Sequence, residues 1–198
     1  MQRLIVCAVS IVTLALSSLA AASTWEIDPA HTSAQFAVRH LMVSTVRGTM
    51  GKVSGTVNLD ETDPTKSSVE ATVDVTGLDT REPKRDQHLK SPDFFDVAKY
   101  PTITFKSKKI TKVSDTKFQV TGDLTIHGVT KRVTAPVRVT SIPESELTKA
   151  SRGPGDWIHA TTEFAIKLSD FGIEVPQTLG MKLSNDVKVR IDVFANGK

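Results

Sequence analysis

Five histidines, His31, His40, His88, His127 and His159, are the side chains of this sequence best suited to chemistry near neutral pH. None stands in an HxH or HExxH spacing, so a metal site would need them to converge from separate strands and turns. Arg85-Asp86-Gln87-His88 with Ser91 holds the residue types of a hydrolase. It lacks a nucleophile elbow, however, and capping or rim hydrogen bonds explain the same residues. Gly48-Thr49-Met50-Gly51-Lys52-Val53 has its glycines too close for a phosphate loop and no Ser or Thr after the lysine. Asp170-Phe171-Gly172 matches a kinase tripeptide without its companion motifs. His40 remains open between two roles, a hydrogen-bond donor to a ligand head group and a satisfied core histidine, because it shares its parity with Phe36 and Val38.

What must position these residues is β-structure. Phe118, Val120, Gly122, Leu124 and Ile126 alternate with polar residues. The pattern pauses over His127 to Lys131 and resumes at Val133, Ala135, Val137 and Val139, which reads as a hairpin with one dry and one wet face. The same period recurs in Trp25–His40, Val53–Leu59, Val69–Val75, at Ile103 and Phe105, in Ile158–Leu168 and in Val187–Val193. Leu41 to Gly48 breaks it, which predicts a helical turn or sharp corner. Ser141 to Gly155 reads as a surface loop. Thr80 to Tyr100, divided by prolines, predicts short helical turns that tuck Leu89, Phe94 and Phe95 against a barrel end as a lid or plug.

Eight strands in meander order can close, which removes exposed edges and turns every dry face inward. The expected fold is therefore all-β: an eight-stranded antiparallel up-and-down barrel with a short helical segment at one end. Gly55, Ala71, Gly122, Ala135 and Ala160 make the inward list small, which favours a partly hollow lumen. The expected ligand-lining set is Phe36, Val38, His40, Val73, Phe105, Leu124, Ile126, Val137, Phe164, Ile166, Val189 and Ile191.

Residues 1–22 read as a secretory signal, with Arg3, the apolar run Leu4 to Leu19 and Ala20-Ala21-Ala22 before the cleavage point. The run is short for a membrane span. Residues 23–198 then form one domain. The single cysteine, Cys7, lies within the signal, so the mature chain is held by its core alone. A formal net charge of +3 with no basic cluster interleaved with aromatics points away from nucleic acid. One Tyr and two Trp cannot build the aromatic girdles of an outer-membrane barrel. No cofactor or metal is implied, and monomer and homodimer are both left open.

Several motifs in order carry a family likeness: Asp28-Pro29-Ala30-His31-Thr32 with Phe36, Val38 and His40; Val46-Arg47-Gly48; Arg85 to Leu89 with Ser91 and Asp93 to Asp96; Tyr100-Pro101; and Gly122 to Thr130. Together they closely resemble the YceI family across Thr24 to Ala195. The resemblance implies a lipocalin-like barrel, exported to the periplasm, that holds a polyisoprenoid (an isoprenoid quinone or polyprenyl lipid) or a similar amphiphilic lipid in its lumen. It implies no common catalytic reaction. Arg132, where the family often has proline, and the stretch Glu174 to Leu179 depart from the usual pattern. The rival reading is an enzyme that acts on a lipid-like substrate in the lumen, with His31, His40 and His88 as its starting points.

Overall fold

A computed structural model describes residues 23–41, 43–175 and 183–197. The expected signal segment lies outside them. Among the described residues ten strands occur in the order β1 (Ser23–Ile27), β2 (Ser33–His40), β3 (Ser44–Thr49), β4 (Val53–Leu59), β5 (Ser68–Asp74), β6 (Thr102–Ser114), β7 (Lys117–Ile126), β8 (Val129–Ile142), β9 (Trp157–Lys167) and β10 (Leu183–Gly197). Helix α1 (Pro83–Lys90) precedes β6, and α2 (Glu146–Arg152) precedes β9. Every pairing is antiparallel, and β1 and β2 both bond to β10.

The ten strands make eight staves. β1 and β2 are one stave kinked at Asp28–Thr32, where Asp28 Oδ1 accepts the Ala30 amide at 2.8 Å. β3 and β4 are a second, kinked where the Gly51 amide donates to the Asp74 carbonyl at 2.8 Å. From there β5 to β10 follow as a meander and β10 returns to the first stave, so the barrel is closed.

Two expected breaks in the pattern are strands instead. Leu41 to Gly48 was expected to turn a corner, but β3 begins at Ser44 and pairs with β2, with Phe36 opposite Gly48. The alternation was present there but hidden, because Gly48 has no side chain: a Cβ on it would lie 2.4 Å from Phe36 Cζ. Similarly, the hairpin pause is only His127-Gly128, with φ of 51° and 74°, a two-residue turn that matches strand twist, and β8 begins at Val129. The expected surface loop also contains α2, started by a reciprocal capping box between Ser145 and Thr148.

The outward face is laced with charge. Lys106 meets Glu70 at 2.6 Å, and Asp123 takes Arg132 at 2.7 Å and Lys108 at 3.5 Å. Arg132, the departure from the family pattern, thus has its own partner across the β7–β8 pair. Such a surface faces water, since charge on a lipid-facing barrel wall costs ~2–4 kcal/mol per residue near the midplane. Among the described residues no helix is long and apolar enough to cross a membrane.

At one end the barrel is plugged. The segment between β5 and β6 and a 3-10 turn at Leu168–Phe171 bring Phe94, Leu168, Phe171 and Ile173 against Val38, Leu124, Ile126 and Val187. The lid is tied down by polar contacts. Thr80, 4% exposed, donates its amide and hydroxyl to Asp86 Oδ1, while Arg85 donates to the Thr80 hydroxyl at 2.7 Å and to its carbonyl at 2.8 Å. Burial opposes ionisation of Asp86, but the Thr80 hydrogen bonds, with Lys90 and Arg85 nearby, outweigh it and hold the carboxyl below its ordinary value. Its stabilisation is therefore complete above the usual carboxylate range and fades as pH falls through the lower folded value. Asp86→Asn should cost roughly 1–3 kcal/mol at neutral pH. In urea melts taken at successive pH values, that gap should shrink below about pH 4.

Candidate functional site: an apolar lumen

The inward positions of the staves enclose a cavity of about 890 Å³ that runs from the plugged end toward the opposite rim. All twelve residues expected from the alternation border it. Phe36, Val137, Phe164, Ile166, Val189 and Ile191 border it and remain only half-buried, although each packs on one side against a buried cluster of the wall.

The small inward residues do not all contribute empty space. Phe105 lies over Gly122, where a Cβ would come within 2.4 Å of its ring. Gly55, with φ of 146°, serves close backbone approach, since a Cβ there would meet the Glu70 carbonyl at 2.1 Å. Ala71, Ala135 and Ala160, by contrast, all border the cavity, together with valines of β8 and β10.

Polar groups border the lumen mainly near its ends. His40, Arg85 and His88 lie toward the plugged end, while Glu61, Asp115 and Asp156 lie toward the other. In the middle is Thr162, opposite Val137 and Ile191 in register, whose hydroxyl is buried without a hydrogen-bond partner.

The histidines are separated. His31 Nδ1 lies 2.5 Å from Asp28 Oδ2, and its ring meets the edge of Phe194 on the outer wall. His159 stacks on the same Phe194 at 4.3 Å. His127 sits in the β7–β8 turn against Tyr100. His88 packs edge-on against Phe94 and lies 3.3 Å from Asp93. His40 and His88 alone among the five border the cavity, and His40 has no hydrogen-bond partner for its ring among the described residues. Within the same residues no three His, Cys, Asp or Glu side chains group to hold a metal.

The Arg85-Asp86 pair is engaged in lid bonding to Thr80, the capping and rim role weighed for it from sequence. Phe171 and Ile173, 1% and 2% exposed, are lining residues that the alternation did not reveal. Their signal was an apolar pair flanking Gly172, whose φ of 72° lets the chain reverse and point both inward. The departure at Glu174 to Leu179 lies largely outside the described residues.

A closed antiparallel barrel around one elongated apolar chamber is the architecture of a small-molecule binding barrel. The chain belongs to the YceI-like domain family, whose sequence model matches residues 25–195. A UPF0312 protein of Vibrio parahaemolyticus is 36% identical to it over 91% of this chain and 92% of that one. Among solved structures, BcnA of Burkholderia cenocepacia superposes with a TM-score of 0.74 at 24% identity, covering 86% of this chain and 99% of that one. A polyisoprenoid binding domain from Saccharophagus degradans, implicated in plant cell wall breakdown, gives 0.67 at 15% identity, covering 89% and 99%. At these identities the two structures share the fold.

Proposed function

We propose that the protein is an exported binding or carrier protein that holds one long-chain isoprenoid, or a similar amphiphilic lipid, in its lumen. The observation that carries this reading is the 890 Å³ cavity walled by inward, half-buried apolar side chains. The size lies within the ordinary range of ligand pockets. Each buried methylene contributes ~0.8 kcal/mol, against an association cost of ~4–15 kcal/mol. A chain with about five to twenty buried carbons is therefore needed before binding becomes net favourable. One head-group hydrogen bond adds only about 0.5–1.5 kcal/mol, so the tail decides affinity. The Saccharophagus degradans neighbour, described as a polyisoprenoid binding domain, supports a barrel of this shape as a site for such a tail.

Carrier and enzyme part over the histidines. A general base or metal ligand typically supplies ~10²–10⁴-fold in rate. In a carrier, His31→Ala, His40→Ala and His88→Ala should each leave affinity for a fluorescent isoprenoid within roughly tenfold of wild type, provided the variant is folded. They should also leave the lipid chemically unchanged after long incubation. Lipid turnover that vanishes with any one of these histidines would move the protein to the enzyme class.

Export rests on the Leu4 to Leu19 run and the small residues that follow. N-terminal sequencing of protein from a periplasmic extract should begin close to Ser23. Recovery of the intact 198-residue chain embedded in membranes would oppose export.

A further inference from the structure

An apolar cargo has almost no free concentration in water, so a carrier meets its ligand where lipid already is. The β2–β3 hairpin ends in a tip with Leu41 48% and Val43 84% exposed, directly after His40, which borders the lumen. Leu41 holds a φ of 52°, a left-handed conformation that a glycine or asparagine would adopt at less cost. A strained, exposed leucine contributes nothing to the fold that a polar turn residue would not supply better.

The hairpin itself carries charge of one sign only. Residues 33–49 contain Arg39 and Arg47, both exposed, and no Asp or Glu. Val38 faces Val46 across the hairpin and both border the lumen, which puts the two arginines on the outward face. The loops at the opposite rim also expose apolar side chains, Val113 and Leu147, but there Asp63, Asp115 and Glu144 pair with Lys66, Lys112 and Lys149, and Asp60, Glu61 and Asp156 add further negative charge against Lys117 and Arg152. An anionic lipid surface would attract this hairpin more than it would the loops beside Val113 and Leu147.

We propose that the β2–β3 tip docks the protein on an anionic phospholipid surface, with Leu41 and Val43 entering the interface and Arg39 and Arg47 facing the head groups, so that cargo exchanges during contact. The exchange step rests on the carrier reading, whereas docking itself does not. The test uses the full mature chain, phosphatidylcholine vesicles with or without phosphatidylglycerol, and a dansyl-tagged isoprenoid as probe.

The protein should pellet with the phosphatidylglycerol vesicles and less with phosphatidylcholine alone. Probe transfer to acceptor vesicles should accelerate with vesicle concentration. Val43→Asp should lower both by about tenfold, the loss of one valine's burial, while leaving equilibrium probe loading unchanged. Val113→Asp, at the opposite rim, should change neither. Transfer that is independent of vesicle concentration, pelleting that is insensitive to Val43→Asp, or a larger effect at Val113 would each overturn the proposal. So would a dimer that Val43→Asp dissociates in the absence of vesicle binding. Failure to load the probe with vesicle pelleting intact would instead count against the carrier reading.

Discussion

Ile126→Glu is expected to yield a protein that purifies without lipid. Ile126 is 4% exposed, the last inward residue of β7 before its turn, and it packs with Phe94 and Phe171 at the inner end of the chamber. A carboxylate there meets only apolar neighbours, at a cost of several kcal/mol if it ionises, and a bound tail would have to share the space with it. The same charge also loosens the plug, so lost lipid alone does not separate an occluded lumen from a weakened wall. Ala160→Phe does. Ala160 stands between Val139 and Val193 in register, half-buried and facing the hollow. A phenyl ring there fills empty space, so the ~1–3 kcal/mol of ordinary core overpacking should be largely avoided. Ala135 is a poorer choice because it is 7% exposed and already packed. A folded Ala160→Phe protein with little lipid supports occupation of the lumen, and wild-type lipid content in that variant would place the cargo elsewhere.

The second large effect concerns the plug. Phe171 is 1% exposed and is the largest fully buried side chain among the described residues. Its replacement by alanine should cost ~3–5 kcal/mol, since the barrel end cannot collapse around the space it leaves. At about 2–4 °C per kcal/mol for a chain of this size, Tm in a calorimetric scan should fall by roughly 6–20 °C. Phe171→Leu should cost clearly less. A fall of only a degree or two for the alanine variant would mean that the 3-10 turn is not packed as described.

The strands were legible wherever both faces declare themselves. On β7, buried Phe118, Val120, Leu124 and Ile126 alternate with Lys117, Gln119, Thr121, Asp123 and Thr125, so strand and lining residues follow together from one period. Where one face is carried by glycine the period disappears. β3 was hidden because its inward residue Gly48 leaves its volume to Phe36, a fact of pairing between strands that no local pattern states. The plug was legible only in part. Leu89, Phe94 and Phe95 stood out as apolar residues among prolines and charges, but Phe171 and Ile173 reach the interior through the left-handed Gly172 and follow neither strand nor helix period. The lumen was anticipated from small side chains, and Ala71, Ala135 and Ala160 border it, whereas Gly122 is covered by Phe105 and Gly55 meets the Glu70 backbone. The histidines show the opposite limit. Their residue type suggested chemistry, while the fold sends His31 and His159 to the outer wall at Phe194 and His127 to a turn.

The most direct measurement is native mass spectrometry of the mature protein, purified without detergent and followed by organic extraction. One adduct per chain is expected, with the bare polypeptide mass recovered after extraction and an intact long-chain amphiphilic lipid in the organic phase. A folded protein that shows only its polypeptide mass, even after incubation with isoprenoid-containing vesicles, would contradict a lipid-holding lumen.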